Sequence, residues 1–259
     1  ETDTSSLDIQ SPSAILMEAS TGQVIYEKNA GEQVHPASIT KIMTLLLIFD
    51  ALDSGKINLE EEVTVSEHAA SMGGSQVFLE PGEVQTVNTM IKCISMASAN
   101  DACVSMAEYI DGTEEAFVEL MNKKCEELGL KNTHFCNPSG LHDENQYTTP
   151  AEMALIMKYA MSNELCAKVL GTYQYTTAAT PQHPQGIQLT STMFSRMYGN
   201  EVEGVSIKAG KTGYTDQAHN CLVNYAEKDG KEYITVMAAA GNRWYVIFDG
   251  FKIFERYLP

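Results

Sequence analysis

The chain has 259 residues, 44% of them hydrophobic and 20% charged, which is the make-up of an ordinary globular protein with length for one large core or two modest ones. Its formal net charge of −17, with no basic stripe to offset it, excludes a nucleic-acid binder and argues against direct adsorption to anionic lipid. No run approaches the roughly twenty apolar residues of a membrane-spanning helix.

Residues 1–12, opening Glu1-Thr2-Asp3-Thr4, read as a loose leader without a charged-then-apolar export signal, as in a cytosolic protein or in an exported one already processed. Ala14-Ile15-Leu16-Met17 and Gln23-Val24-Ile25-Tyr26 are strand-like, and Ser20-Thr21-Gly22 between them predicts a hairpin. His35-Pro36-Ala37 then leads into a helix through Ser38-Ile39-Thr40-Lys41. From Ile42 to Leu52 this helix is apolar on nearly every face, so it belongs inside the domain, and it ends near Ser54-Gly55. Val63 to Ser66 is a short strand or a helix lead-in. Met72-Gly73-Gly74-Ser75 and Glu80-Pro81-Gly82-Glu83 are turn chemistry around the extended piece Gln76–Leu79. Helical spacing runs from Val87 to Ile110 with a break at Ser98-Ala99-Asn100-Asp101, and again from Glu114 to Leu128, where Gly129 stops it.

Asn137-Pro138-Ser139-Gly140 begins a loop. Thr149-Pro150 opens a helix running to about Met161, and Asn163 to Leu170 adds a short one. The last third is β-rich at Tyr173–Thr176, Asn220–Ala226 and Tyr233–Ala240, the last two joined by the hairpin turn Glu227–Lys231, and a helix over Tyr245–Tyr257 closes the chain. Strands at both ends with helices between them predict one domain over 13–259. Its sheet comes from about 13–35 and 172–259, with a helical lobe over about 36–171 inserted between them. The six cysteines (Cys93, Cys103, Cys125, Cys136, Cys166, Cys221) show no metal-ligand spacing and read as small core residues, with a disulfide possible but not inferable.

Three short motifs carry chemistry. In Ser38-x-x-Lys41 a hydroxyl and an amine share one helix face; burial lowers the amine pKa, and neutral Lys41 can then take the Ser38 proton. In Ser98-Ala99-Asn100 a hydroxyl and an amide could relay a proton and orient a substrate amide, although from these residues alone a plain helix cap is the stronger reading. Lys211-Thr212-Gly213, on a strand edge, would offer a cation and a hydroxyl to a carboxylate, with glycine permitting close backbone approach. A phosphate-binding loop ending in Gly210-Lys211-Thr212 is rejected, because Val205 stands where that motif needs glycine.

In this order and at these separations the three motifs form the set shared by class A β-lactamases and penicillin-binding proteins. The sequence resembles the serine D-alanyl-D-alanine carboxypeptidases (low-molecular-mass penicillin-binding proteins) across residues 12 to 258. Further shared stretches are Ser71-Met72-Gly73-Gly74-Ser75, Leu128-Gly129-Leu130-Lys131-Asn132-Thr133, Asn137-Pro138-Ser139-Gly140-Leu141 and Lys211-Thr212-Gly213-Tyr214-Thr215. The resemblance implies an α/β (α+β) domain of β-lactamase/transpeptidase-like fold with an antiparallel sheet, and removal of the terminal D-alanine from peptidoglycan stem peptides ending in D-Ala-D-Ala. It also implies acylation by β-lactam antibiotics, no metal or organic cofactor, no nucleic-acid partner, and an extracytoplasmic place in a bacterial cell envelope. Membrane association would then come only through segments outside this stretch, which reads as either a trimmed or a one-domain form without the family's further β-domain and anchor.

Carried over, Ser38 is the acylated nucleophile and Lys41 its base. Ser98 passes protons to the leaving amine, Asn100 holds the substrate amide, and Lys211 acts electrostatically. Thr212 binds the terminal carboxylate beside Gly213, the N–H groups of Ser38 and Tyr214 make the oxyanion hole, and Arg243 lies near the carboxylate subsite. Ala99 stands in place of the usual glycine, Lys208 is a second basic candidate that blurs strand register, and His219 interrupts the usual pattern after the motif. Two rivals remain. One is a serine β-lactamase using a carboxylate in His142-Asp143-Glu144-Asn145 to activate water; the other is an idle wall-binding scaffold.

Overall fold

The structure is a computed structural model that describes residues 2–3 and 7–258. Strands β1 (Ser13–Glu18) and β2 (Val24–Lys28) form the first hairpin, turning at Gly22 with φ +74°, a left-handed conformation that favours glycine. A 3-10 turn, Ala37–Thr40, runs directly into α1 (Lys41–Asp53). Ser38 therefore sits on a 3-10 turn and not on the α-helix that the spacing suggests. Three residues per turn eclipse positions i and i+3, which sets Ser38 over Lys41. Every residue of α1 from Lys41 to Phe49 is buried, as an apolar helix without a polar face requires.

Strands β3 (Glu62–Thr64) and β4 (Val84–Thr86) pair as a small ribbon, with the single turn α2 (Glu67–Ala70) between them. Helix α3 (Val87–Ala97) stops at Ser98, which is left-handed (φ +55°, ψ +38°), and α4 (Asn100–Asp111) starts two residues later. Helices α5 (Glu114–Glu127), α6 (Pro150–Met161) and α7 (Glu164–Leu170) complete the lobe, each begun by a Thr or Asn side chain that accepts a first-turn N–H. The ribbon of β5 (Gln174–Thr176) and β6 (Gln188–Thr190) leads to α8 (Thr192–Met197). Three long strands follow, β7 (Ser206–Thr215), β8 (His219–Lys228) and β9 (Lys231–Ala240), and then α9 (Arg243–Tyr257). The β8–β9 turn is Asp229-Gly230, both at positive φ, as a two-residue hairpin needs. Helix α9 starts two residues before its expected start because the Asn242 side chain accepts the Trp244 N–H and caps it.

The main sheet is antiparallel in the order β2-β1-β9-β8-β7, so strands from early and late in the chain meet at its centre, where Ser13 faces Ala238 in register. The period-2 alternation of its strands makes two cores. Ala14, Leu16, Leu222, Ala226 and Met237 pack under α9, against Val246, Ile247 and Phe254, whereas Ile15, Met17, Val223, Ile234 and Val236 face the helical lobe. This leaves β7 as an edge strand, with the 3-10 turn of Ser38 beside it.

Of the expected leader, residues 1 and 4–6 lie outside the described residues. The remainder is anchored: Asp3 bridges to Tyr26, Ile9 is buried, and Gln10 N–H, Ser11 N–H and Ser11 Oγ donate to the buried Asp249 carboxylate on α9 at 3.1, 2.7 and 2.6 Å. All six cysteines are free thiols, five of them buried and Cys136 partly so. Among the described residues no helix is long and apolar enough to cross a membrane.

Candidate active site

Lys41 is fully buried, and its Nζ donates to three acceptors: Ser38 Oγ at 3.0 Å, Asn100 Oδ1 at 2.7 Å and the Ser139 carbonyl at 2.6 Å. Burial lowers its pKa to about 8, against smaller opposing effects of Cys103 and Asp101. The contact set decides what a lost proton does. The Asn100 and Ser139 oxygens can only accept, so a neutral amine spends its two N–H bonds on them and leaves its lone pair for Ser38 Oγ–H. Asn100 is oriented for this by the 72–75 loop, donating Nδ2–H to Gly73 O (2.8 Å) and its N–H to Ser75 O (2.7 Å).

Across the cleft, Lys211 is equally buried and donates to Ser98 Oγ (3.0 Å) and to the Thr212 carbonyl (2.8 Å). Burial first, then repulsion from Lys41 and Arg196, holds its pKa well below the ordinary lysine value. The left-handed Ser98 sends the chain from α3 into α4 so that its hydroxyl meets Lys211 and Asn100 meets Lys41. Strand β7 passes close to the 3-10 turn at Gly213. A Cβ there would lie 2.9 Å from Ser38 N, which sets the Gly213-Tyr214 backbone beside the Ser38 amide. The Tyr214 ring is exposed, with its hydroxyl donating to Asp216.

Gly140 supports the same turn from the other side. Its φ is +92°, and a Cβ would sit 1.9 Å from Ala37 O and 2.9 Å from Ser38 N. Gly140→Ala is expected to destabilise the protein by about 2 kcal/mol or more in urea titration and to lose most serine acylation. Gly22→Ala, with nothing within 4 Å, should cost only the φ penalty of about 1 kcal/mol and spare activity.

The structure thus brings together Ser38, Lys41, Ser98, Asn100, Lys211, Thr212, Gly213 and Tyr214. Arg243 stands apart as the first residue of α9, in an open groove beside Tyr214, its guanidinium 5.3 Å from the Trp244 ring centre. Sequence reasoning passed over three residues. The Ser139 carbonyl on Lys41 has no side-chain signal; Thr192 Oγ1, 2.6 Å from Thr212 Oγ1, and Arg196, which lines the same groove as Arg243, belong to a helix too short for periodicity. Lys208 is not part of the site. A bulge between Ile207 and Ala209 shifts the register there, and the Lys208 side chain pairs with Glu227 at 3.5 Å, half exposed. His219 is exposed at the start of β8, with φ +58°. The carboxylates weighed as water activators serve their own loop: Asp143 accepts Asn145 N–H, and Glu144 pairs with His142.

The sequence matches the family described as D-alanyl-D-alanine carboxypeptidase over residues 1–242. It is 48% identical over 237 residues to D-alanyl-D-alanine carboxypeptidase DacF of Bacillus subtilis, covering 92% of this chain but only 59% of that protein. Among solved structures it is similar to a mutant of the Streptomyces K15 DD-transpeptidase (TM-score 0.88, 25% identity, 98% of this chain and 99% of that one). It is also similar to penicillin binding protein 5 of Haemophilus influenzae (TM-score 0.87, 27% identity, 98% and 72%).

Proposed function

This chain belongs to the D-alanyl-D-alanine carboxypeptidase family, and from that premise we propose that it is a serine carboxypeptidase that removes the terminal D-alanine from peptidoglycan stem peptides. The observation that carries the reading is the buried Lys41 amine, whose two acceptor-only partners leave Ser38 as the one group able to give it a proton. In the first half-reaction Ser38 Oγ attacks the carbonyl carbon of the penultimate residue as Lys41 takes its proton. The developing oxyanion is held by the N–H groups of Ser38 and Tyr214, a kind of contact worth about 10²–10³ in rate per donor. The C–N bond then breaks, and D-alanine leaves with a proton relayed from Lys41 through Ser98, beside Lys211.

In the second half-reaction water attacks the ester with Lys41 again as base, releasing the shortened peptide and restoring the Ser38 hydroxyl. Asn100 holds the substrate amide, while Thr212 and Arg243 receive the terminal carboxylate. A β-lactam presents a strained amide with a nearby carboxylate and acylates the same serine. Such a substrate implies work outside the cytoplasmic membrane, at the cell envelope.

The test is intact-protein mass against time after mixing with benzylpenicillin. A one-to-one adduct on Ser38 that lasts minutes or longer is expected. Drug consumption without a lasting adduct would turn the reading to a β-lactamase, and neither adduct nor consumption would leave a likeness of fold alone.

A further inference from the structure

Helix α8 lies against the part of β7 that carries Thr212, with its Met193 side chain packed over Gly210. A Cβ at Gly210 would come within 2.3 Å of Met193 Sδ and 2.4 Å of Val223 O. The helix is anchored at its start, where the Ser191 side chain accepts Phe194 N–H and Ser191 N–H donates to Tyr173 O. Thr192 and Arg196 are four residues apart and so share one face. On that face Thr192 Oγ1 meets Thr212 Oγ1 at 2.6 Å, and Arg196 lines the groove that also holds Tyr214 and Arg243.

Two chemical points follow. A threonine hydroxyl has one proton, so Thr212 can give it to a substrate carboxylate while its bond to Thr192 survives only if Thr192 donates. Second, the half-buried Arg196 guanidinium and that of Arg243 share a groove with no acidic side chain among its lining residues, and neither has a carboxylate partner among the described residues. Burial and the neighbouring Arg243 charge both disfavour the Arg196 charge. An anion entering between them relieves that repulsion, which a neutral group would not do.

We propose that α8 contributes two further residues to recognition of the substrate's free carboxyl end: Thr192 as a positioning residue that aims the Thr212 hydroxyl, and Arg196 as a second guanidinium that makes the groove selective for an anionic terminus. The inference rests on the carboxypeptidase reading above and adds to it which residues set the demand for a free terminal carboxylate.

The test compares wild type, Thr192→Val, Thr192→Ser and Arg196→Gln on an N-acylated peptide ending in D-Ala-D-Ala and on its C-terminal amide, with thermal melting as a check on folding. Thr192→Val and Arg196→Gln are each expected to lower kcat/KM on the free acid about 10- to 100-fold, mostly through KM, while changing the slow reaction on the amide less than about threefold. Thr192→Ser, which keeps the hydroxyl, should stay within about threefold of wild type on both. Equal losses on acid and amide, or no loss on the acid, overturn the proposal while the wild-type activity stands. A wild type inert to both peptide and benzylpenicillin overturns the carboxypeptidase reading and the proposal with it.

Discussion

Ser38→Ala is expected to fold as the wild type does and to lose both D-alanine release and penicillin labelling, with turnover down by about 10⁴-fold or more. The fold should survive because the Ser38 side chain makes one hydrogen bond, at 3.0 Å to Lys41, and Lys41 keeps its Asn100 and Ser139 partners without it. The backbone of the 3-10 turn stays wedged between Gly140 and Gly213 in either case. Circular dichroism and melting temperature check the first half of this statement, and gel fluorescence with a labelled penicillin checks the second. Labelling retained in this variant would sink the assignment of Ser38 as the nucleophile.

Removing the base gives the second large effect. Lys41→Met keeps the volume and apolar stem but no amine, and the acylation rate is expected to fall by about 10³–10⁴-fold, the upper range for a positioned general base. The pH profile distinguishes a base from a merely structural lysine. On the proposed reading Lys41 works as the neutral amine, and its pKa is lowered to about 8 by burial. The wild-type acylation rate constant should therefore rise with pH, tenfold per unit below about 8, and level off above it. Because Lys211 is also pushed down, by burial and then by Lys41, the observed midpoint belongs to the pair of amines. In Lys41→Met the rise attributed to Lys41 should be lost, and any remaining pH dependence belongs to Lys211. A wild-type profile flat from pH 6 to 9, read by stopped-flow acylation, would remove Lys41 from the role.

Much of the architecture was legible because it rests on patterns that survive without context. The nearly continuous apolar runs Ala14–Met17 and Tyr233–Ala240 mark strands with two buried faces, and Asp229-Gly230 marks a hairpin where it falls between such strands. The apolar run after Lys41 demands an interior helix. What the residues hid were features set by tertiary contact. Ser38 lies on a 3-10 turn with Gly140 and Gly213, both far away in sequence, close on either side. The polar stretch before Ser13 looks loose until Asp249, more than two hundred residues later, receives Gln10 and Ser11. Helix α8 is six residues long between irregular segments, so neither it nor Thr192 and Arg196 carried a periodic signal, although they line the groove. Within the site, side-chain roles were readable by type, whereas the Ser139 carbonyl on Lys41 had to be seen.

The pairing of Ser13 with Ala238 also fixes when the molecule can become itself. The β1–β2 hairpin comes more than two hundred residues before β9, so its second pairing partner is made only when the chain is nearly finished. The sheet can only knit when β9 arrives, bringing β8 and β7 with it, and contacts of such long sequence span are slow to form. Lys211, Thr212 and Gly213 ride on the outermost of these strands, bound in place through β8 and β9. The wall opposite Ser38 and Lys41 is therefore tied to the rest of the sheet only through β8 and β9, the last strands of the chain.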